Sequence, residues 1–468
     1  MNEGPEIIIV GSGSTAFAAA LRAQAQGARP VMIEKSVLGG TCINWGCVPS
    51  KTLIHAALYR HLAHVGAALG LGTGSDGLDF PLLDARKRAV VQELRQSKYL
   101  DVLNNVPGLR LIKGTAKFLA PDTIQVGDQI LKGERILIAT GGEPRIPPIP
   151  GLDDTPFLTS RSALLMKVPP ASLTILGGGV IALELGQMFG RLGVKVRVLE
   201  HSDRLLPGVE AEPVQALRET LEAEGIEVVL KAIVCSVSFR NGVTRVLTEV
   251  EGVPQTFESE QLLVAVGTAP ASSGIGLEQA GVEVDLRGFI KVDAELRTTV
   301  PGIWAAGDVT GGLQIATVGA REGIAAVDNM LDTGCRCVLD YAAIPMAIFT
   351  DPEVAMVGYG EVGAQQAGFE VISHTIPASS IPKAHITGEM RGAVKIVAEK
   401  SSGRILGVHL CLHRAADIIN EAALAIRFRL TVGQLADTLH VYPSMGEGLK
   451  LCAQSFRRDI DRLSCCAE

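Results

Sequence analysis

The segment GGTCINWGCVPSK, residues 39–51, sets Cys42 and Cys47 five positions apart, among glycines and just ahead of Lys51. Three chemistries fit such a pair: a redox dithiol, a clip for a soft metal, or two buried thiols that lie close by accident. Five steps along an ideal α-helix separate Cα atoms by roughly 8–9 Å, beyond the reach of a disulfide, so a working dithiol requires a bend. Gly46 permits one. A thiol at a helix N-terminus beside a cation is biased towards thiolate, which favours a reactive pair. A second pair, Cys465 and Cys466, is adjacent in the terminal sequence RLSCCAE. Adjacent free thiols oxidise readily, and beside a first dithiol they could serve as a redox shuttle or as a soft-metal pick-up.

The elements that position these residues are legible around them. Ile7–Val10 predicts a buried strand, followed by the turn Gly11-Ser-Gly13-Ser-Thr-Ala16, a helix over about 16–26 and a strand ending at Glu34. LTILGGGVIALELGQMFGRLGVKVRVLE repeats the pattern, with Gly177, Gly179, Ala182 and a strand ending at Glu200. Glycines let a backbone approach a pyrophosphate, the helix N-terminus offers free N–H donors, and the acid accepts from ribose hydroxyls. One such turn is weak evidence for a nucleotide site, whereas two, each between strand and helix, are strong. The proline-rich GGEPRIPPIPGLDD (141–154) marks a boundary before the second unit. LLVAVGTAP (262–270) echoes ILIATGGEP (136–144), and GIWAAGDVTG (302–311) reads as a strand entering a turn that presents Asp308. From about 341 a mixed region begins, with strands around 394–411 and helices around 415–428 and 444–456.

At 468 residues the chain exceeds one core, and 47% hydrophobic residues with 52 glycines but only 4% aromatics suit closely packed α/β layers. A net charge of −7 gives no polybasic surface, so nucleic acid is not an expected partner. The apolar run at 7–21 follows an acidic segment, MNEGPE, and is broken by glycines, unlike a signal peptide. With no stretch long enough to span a membrane, a cytoplasmic protein without a membrane partner is expected. Nine cysteines, an odd number, argue against a secreted disulfide framework.

Together these motifs resemble the flavin-dependent pyridine nucleotide–disulfide oxidoreductases over nearly the whole chain. The resemblance implies an α/β fold with two Rossmann-like nucleotide-binding domains, for FAD and NAD(P)H, and a C-terminal α+β dimerisation domain. The expected bounds are 1–145 and 271–340 for the two parts of the FAD domain, 146–270 for the NAD(P)H domain and 341–468 for the dimerisation domain. It implies FAD contacts from Gly11, Gly13 and Ala16, from Glu34 to the adenosine ribose, and from Asp308 to the ribityl chain. Gly40, Thr41, Ala116, Thr140, Gly141 and Val318 are further expected cofactor contacts. Gly177, Gly179, Ala182, Glu200, Arg204 and Gly267 fall to the nicotinamide nucleotide. Lys51 and Glu184 would pair near the flavin N5 edge, where a positive charge stabilises incoming electron density. Cys47 would contact the flavin and Cys42 would be the interchange thiol, in a homodimer whose active site is shared between subunits.

Members that reduce organic disulfides carry a histidine ahead of Pro-Thr near the C-terminus, with a Glu completing an acid–base dyad. In LHVYPSMGEGLK (439–450) Pro443, Ser444 and Glu447 fit, but the histidine position is Tyr442 and His440 lies two residues early. A phenol is a poor acid–base catalyst at neutral pH, which disfavours ordinary disulfide reduction. Tyr442 with EGLKLCAQSF…LSCCAE resembles the mercuric reductase branch, and Tyr99 in RQSKYLDVL falls where that branch has an active-site tyrosine. That likeness implies reduction of Hg(II) to Hg(0), with Cys465 and Cys466 of one subunit passing the metal to Cys42 and Cys47 of the other, since thiolates are natural ligands for this soft ion. Many members of the branch add an N-terminal metal-capture domain, and this sequence begins at the first nucleotide strand. Hg(II)–thiol complexes or a small carrier protein are therefore the expected donors. The alternative is an NAD(P)H-dependent disulfide reductase like dihydrolipoamide dehydrogenase, glutathione reductase or thioredoxin reductase. NADPH is the expected reductant, with NADH as the alternative, because Glu200 suits a bare ribose while His201 and Arg204 suit a 2′-phosphate. Cys335 and Cys337 read as loop or strand thiols, Cys235, Cys411 and Cys452 as core or helix thiols, and His55, His61 and His64 as structural.

Overall fold

The computed structural model describes residues 6–66, 70–71, 77–332, 334 and 336–458, so Cys335 and the tail pair Cys465 and Cys466 lie outside the described residues. Strands Ile303–Ala305, Ile136–Ile138, Glu6–Val10, Arg29–Glu34 and Arg110–Lys113 form one parallel sheet in that order. Ile7, Ile8 and Ile9 are fully buried, as a parallel strand covered on both faces must be. One cover is the helix Ser14–Ala25, packed on the helix Ala316–Met330. Their approach depends on Gly323, where a Cβ would stand 2.3 Å from the Thr15 carbonyl oxygen.

Since Ile303–Ala305 returns to the first sheet, the second nucleotide unit is an insertion within the first. Its parallel sheet runs Glu227–Val229, Lys195–Leu199, Ser172–Leu176, Gln261–Val264. The helix Val180–Arg191 is buried without interruption from Ala182 to Phe189, because it packs on its own sheet and against the helix Cys47–Val65.

The C-terminal domain is an antiparallel sheet ordered Met346–Ile348, Glu353–Gly358, Ile405–Leu412, Ala393–Glu399, Val371–Pro377. Its central strand alternates between two cores. Val408, Leu410 and Leu412 pack with the helices Ala415–Arg427 and Glu447–Gln454. Cys411 joins Val354 and Met356 in the core of the second nucleotide unit. The same seam holds Lys395, whose ammonium lies 2.7, 2.8 and 2.6 Å from Glu210, Glu212 and Glu361. A buried ammonium is tolerated only when so paired.

The fold is thus the α/β architecture expected from sequence, with two Rossmann-like sheets and a distinct C-terminal domain. The helix expected over 444–456 begins three residues later, at Glu447. There the Glu447 carboxylate accepts the Ser444 N–H at 3.1 Å and shapes a turn ahead of the helix. No helix among the described residues is long and apolar enough to cross a membrane.

Candidate redox and nucleotide sites

The helix Gly40–Trp45 ends at Gly46 (φ −120°, ψ −116°), and the 19-residue helix Cys47–Val65 starts at once. A Cβ on Gly46 would stand 3.0 Å from the Thr41 carbonyl oxygen and 3.2 Å from the Cys42 Cα. The bend expected at this glycine is present, and a side chain there would push Cys42 away. Both thiols are free, Cys42 half-buried and Cys47 exposed. Hydrogen bonding from Cys42 holds the Cys47 thiol at about 6, with burial opposing and the nearby Lys51 charge assisting. The same contact, followed by burial, pushes Cys42 far up. At neutral pH the pair is therefore one thiolate, Cys47, and one thiol, Cys42.

One helical turn after Cys47, Lys51 places its ammonium 2.6 Å from Glu184 Oε2 and 4.7 Å from the centre of the Phe349 ring. Glu184 is buried, and its other oxygen accepts the Phe349 N–H at 2.9 Å. The pair expected from sequence thus joins the dithiol helix, the second nucleotide unit and the C-terminal domain. Phe349 was not singled out from sequence, where nothing marks it. Trp45, next to the bend, stacks under the Arg161 guanidinium at 3.6 Å.

Tyr99 lies on a π-helical turn, Gln96–Leu100, a geometry frequent at functional sites. Its ring meets Phe17 edge-on at 4.9 Å and lies over Gly39, whose Cβ, if present, would be 3.4 Å from it. Burial, then the charges of Cys42 and Cys47, push its phenol up. The structure therefore brings Tyr99 to the dithiol.

The first glycine turn is built by backbone approach. Gly11 has φ +123°, and its Cβ would fall 2.3 Å from the Ala139 carbonyl oxygen. A Cβ on Gly40 would fall 2.6 Å from the Gly13 Cα, so Gly40 and Thr41 stand at this turn. Glu34 accepts from Ser12 Oγ at 2.5 Å and from the Ser36 N–H at 2.6 Å. Ala116 follows the edge strand whose Lys113 pairs with Glu34. Across the sheet, Thr140 and Gly141 follow Ile136–Ile138, and Asp308 and the buried Val318 flank Gly307 and Gly319, which both pack on Thr15. Burial and the neighbouring Glu322 push the Asp308 carboxyl up. Glu322, missed in the sequence, accepts from the Gly307 N–H at 2.7 Å and from the Tyr341 hydroxyl at 2.9 Å.

Two observations test the fit of a dinucleotide here. The helices after Gly13 and Gly179 have no side-chain cap, which leaves their first N–H groups for a phosphate. Thr140 Oγ1 is buried without a hydrogen-bond partner among the described residues. Both suit FAD in the first unit and a nicotinamide nucleotide in the second. Around Gly177, Gly179 and Ala182 the second unit repeats the first: a Cβ on Gly177 would be 2.6 Å from the Ala265 carbonyl oxygen, and Glu200 accepts from the N–H groups of Gly178 and Ser202. Gly267 (φ +111°) occupies the place of Gly141. His201 Nδ1 lies 2.8 Å from Glu200, and the Arg204 guanidinium donates to the Pro207 carbonyl.

At the C-terminal end Tyr442 is 49% exposed. His440 Nε2 lies 2.9 Å from Glu421, and its Nδ1 faces the Thr438 carbonyl oxygen at 3.1 Å. That imidazole is therefore held by Glu421, and Glu447 caps its own turn instead of holding an imidazole. His55 stacks on Tyr59, His61 is 4.0 Å from Glu224, and His64 contacts the Arg60 carbonyl, structural placements all.

A family model described as Pyridine nucleotide-disulphide oxidoreductase matches residues 5–323, and the dimerisation domain of the same family matches residues 344–453. The chain belongs to this family. It is an NAD(P)H- and FAD-dependent oxidoreductase carrying the family's dimerisation domain. It is 40% identical to the mercuric reductase of Bacillus cereus over 462 residues, which cover 99% of this chain and 73% of that one. It is likewise 40% identical to the mercuric reductase of Streptomyces lividans, covering 99% and 98%. Among solved structures, the HOCl-induced flavoprotein disulfide reductase RclA from Escherichia coli is similar at 32% identity and a TM-score of 0.86, over 97% of this chain and all of that one.

Proposed function

We propose that this family member reduces Hg(II) to Hg(0) with NADPH, using Cys42 and Cys47 as the metal-binding dithiol. The observation that carries the reading is Tyr442 at the place of a catalytic histidine, with the nearest imidazole, His440, committed to Glu421. A protein disulfide releases a thiolate that needs a proton, whereas a reduced metal atom does not. The two named mercuric reductases support the same choice.

In this reading the thiolate assignment reverses the order implied by the resemblance, in which Cys42 is the interchange thiol. The Cys47 thiolate attacks the incoming Hg(II)–bis(thiolate) complex and displaces one small thiolate, and Cys42 passes its proton to the second small thiolate as its own sulfur takes that ligand position. FAD, when bound, supplies the two electrons it receives from the nicotinamide. Lys51, fixed by Glu184, holds positive charge beside the thiolate. Tyr99 closes the apolar side of the dithiol through Phe17. Cys465 and Cys466 deliver the metal from a partner subunit, and Arg204 meets the 2′-phosphate of NADPH.

A second reading, NAD(P)H-dependent disulfide reduction, has the broader support. The family description and RclA, a flavoprotein disulfide reductase, both favour it, and the thiolate–thiol pair serves it equally well. The deciding experiment follows NADPH and NADH oxidation by the flavin-loaded protein. The substrates are Hg(II) in excess small thiol, oxidised glutathione, lipoamide and thioredoxin, with volatile mercury trapped in parallel. Oxidation confined to Hg(II), with Hg(0) recovered, supports the first reading. Turnover of a disulfide without mercury release replaces it with the second.

A further inference from the structure

Away from the dithiol, three turns of the C-terminal domain converge. Asp351 follows the strand Met346–Ile348, Glu389 follows the helix Pro382–Thr387, and His413 follows the strand Ile405–Leu412. One ligand atom from each lies within 4.8 Å of the others, and all three residues are half-buried. Three points no more than 4.8 Å apart share a centre at most 4.8/√3, about 2.8 Å, from each. Bonds from a divalent first-row cation to imidazole nitrogen and carboxylate oxygen are about 2.0–2.2 Å. Contraction by roughly 0.6–0.8 Å at each side chain would therefore close the site.

The surroundings are organised for this. Asp351 is gripped at its backbone by Gln187, which donates to its carbonyl at 2.7 Å and accepts its N–H at 2.7 Å. Arg191 takes Asp351 Oδ2 at 2.8 Å, which leaves Oδ1 facing His413 Nδ1 at 3.8 Å. Hydrogen bonding that fixes one carboxylate oxygen and frees the other is the usual support of a metal ligand. Glu389 has no hydrogen bond or ion pair among the described residues, although its carboxylate lies against Asp351 and His413. Arg191 also binds Glu224 at 2.6 Å. Asp351, Glu389, Glu224 and Arg191 therefore sum to a formal charge of −2 before His413 is counted.

We propose that Asp351, Glu389 and His413 bind a divalent first-row cation, such as Mn2+ or Zn2+, independently of the dithiol. The donor set holds two carboxylates and one imidazole without sulfur, which suits such ions and not the soft Hg(II) of the redox site. All three ligands belong to the C-terminal domain, while Gln187 and Arg191 belong to the helix Val180–Arg191 that also carries Glu184. The cation would fasten the turn at Glu389 to the loop that meets this helix.

The test uses the flavin-loaded protein, stripped with a chelator and returned to metal-free buffer. Mn2+ is titrated in, and free Mn2+ is counted from its solution paramagnetic resonance signal. This hard ion ignores thiols, so neither the dithiol nor the redox reading affects the result. One Mn2+ per chain is expected, displaced by Zn2+, with binding weakened at least about tenfold in Glu389→Gln and in His413→Ala. Glu389→Gln keeps the shape of the side chain, and retained flavin with an unchanged melting temperature shows that it folds. Absence of Mn2+ binding by the wild type at millimolar metal overturns the proposal, as does equal binding by wild type and both variants.

Discussion

Replacing Cys42 with alanine removes the largest single influence on Cys47, the hydrogen bond that holds its thiol at about 6. With that value, about 90% of Cys47 is thiolate at pH 7. At an ordinary thiol value near 8.5 the fraction is about 3%, some thirtyfold less. In the variant burial outweighs the Lys51 charge and the Glu184 charge adds to it, so a fall of at least about thirtyfold in thiolate at pH 7 is expected. The sign with pH is fixed by the acid itself: wild-type reactivity is full above neutrality and is lost as pH falls through about 6. The assay is alkylation of the reduced protein by iodoacetamide across pH. Trypsin cuts after Lys35 and Lys51, so the peptide 36–51 carries both cysteines and its fragments report each site. Cys47 should be modified first, with a midpoint at least about two and a half units lower in wild type than in Cys42→Ala. Cys42→Ser retains a donor and should keep most of the depression, which separates the hydrogen bond from a general disturbance. If wild-type Cys47 titrates near 8.5, if Cys42 is modified first, or if Cys42→Ala leaves the midpoint in place, the thiolate assignment is wrong.

Lys51→Met strands the buried Glu184 carboxylate and should cost about 2 kcal/mol of stability in denaturant unfolding, besides raising the Cys47 alkylation midpoint. Gly46→Ala should lower the melting temperature through a cost of about 1–3 kcal/mol, because its Cβ meets Thr41 and Cys42 in a turn that has no room for it. Tyr442→His places an imidazole five residues before Glu447. Under the mercury reading it should raise oxidised glutathione turnover about a hundredfold over wild type, and no gain would count against the role given to Tyr442. Arg204→Ala should raise KM for NADPH about tenfold and leave KM for NADH unchanged, and parallel changes would remove Arg204 from phosphate recognition.

Much of this arrangement is written locally in the chain. Strand, glycine turn, helix and acid follow one another within each nucleotide unit, so Gly11, Gly13 and Glu34 and their counterparts Gly177, Gly179 and Glu200 could be read without tertiary information. The bend at Gly46 was legible for a similar reason, since helix geometry alone separates Cys42 from Cys47. The Lys51–Glu184 pair was legible only through family likeness, because the two lie 133 positions apart. What escaped the sequence depends on distant segments meeting. Glu322 is one acid on a helix until Gly307 and Tyr341 arrive beside it. Asp351, Glu389 and His413 come from three separate turns with no shared spacing, and only the closing of the C-terminal sheet unites them.

The buried ammonium of Lys395 has a consequence for the seam between the second nucleotide unit and the C-terminal domain. Three carboxylates, from Glu210, Glu212 and Glu361, surround one positive charge. A one-to-one pair fails as soon as its single acid is lost. Here the loss of one acid by substitution relieves crowding among like charges and leaves two carboxylates on the lysine. The seam therefore has redundancy: a change at any one of the three glutamates should be tolerated, whereas a change at Lys395 removes the partner of all three at once.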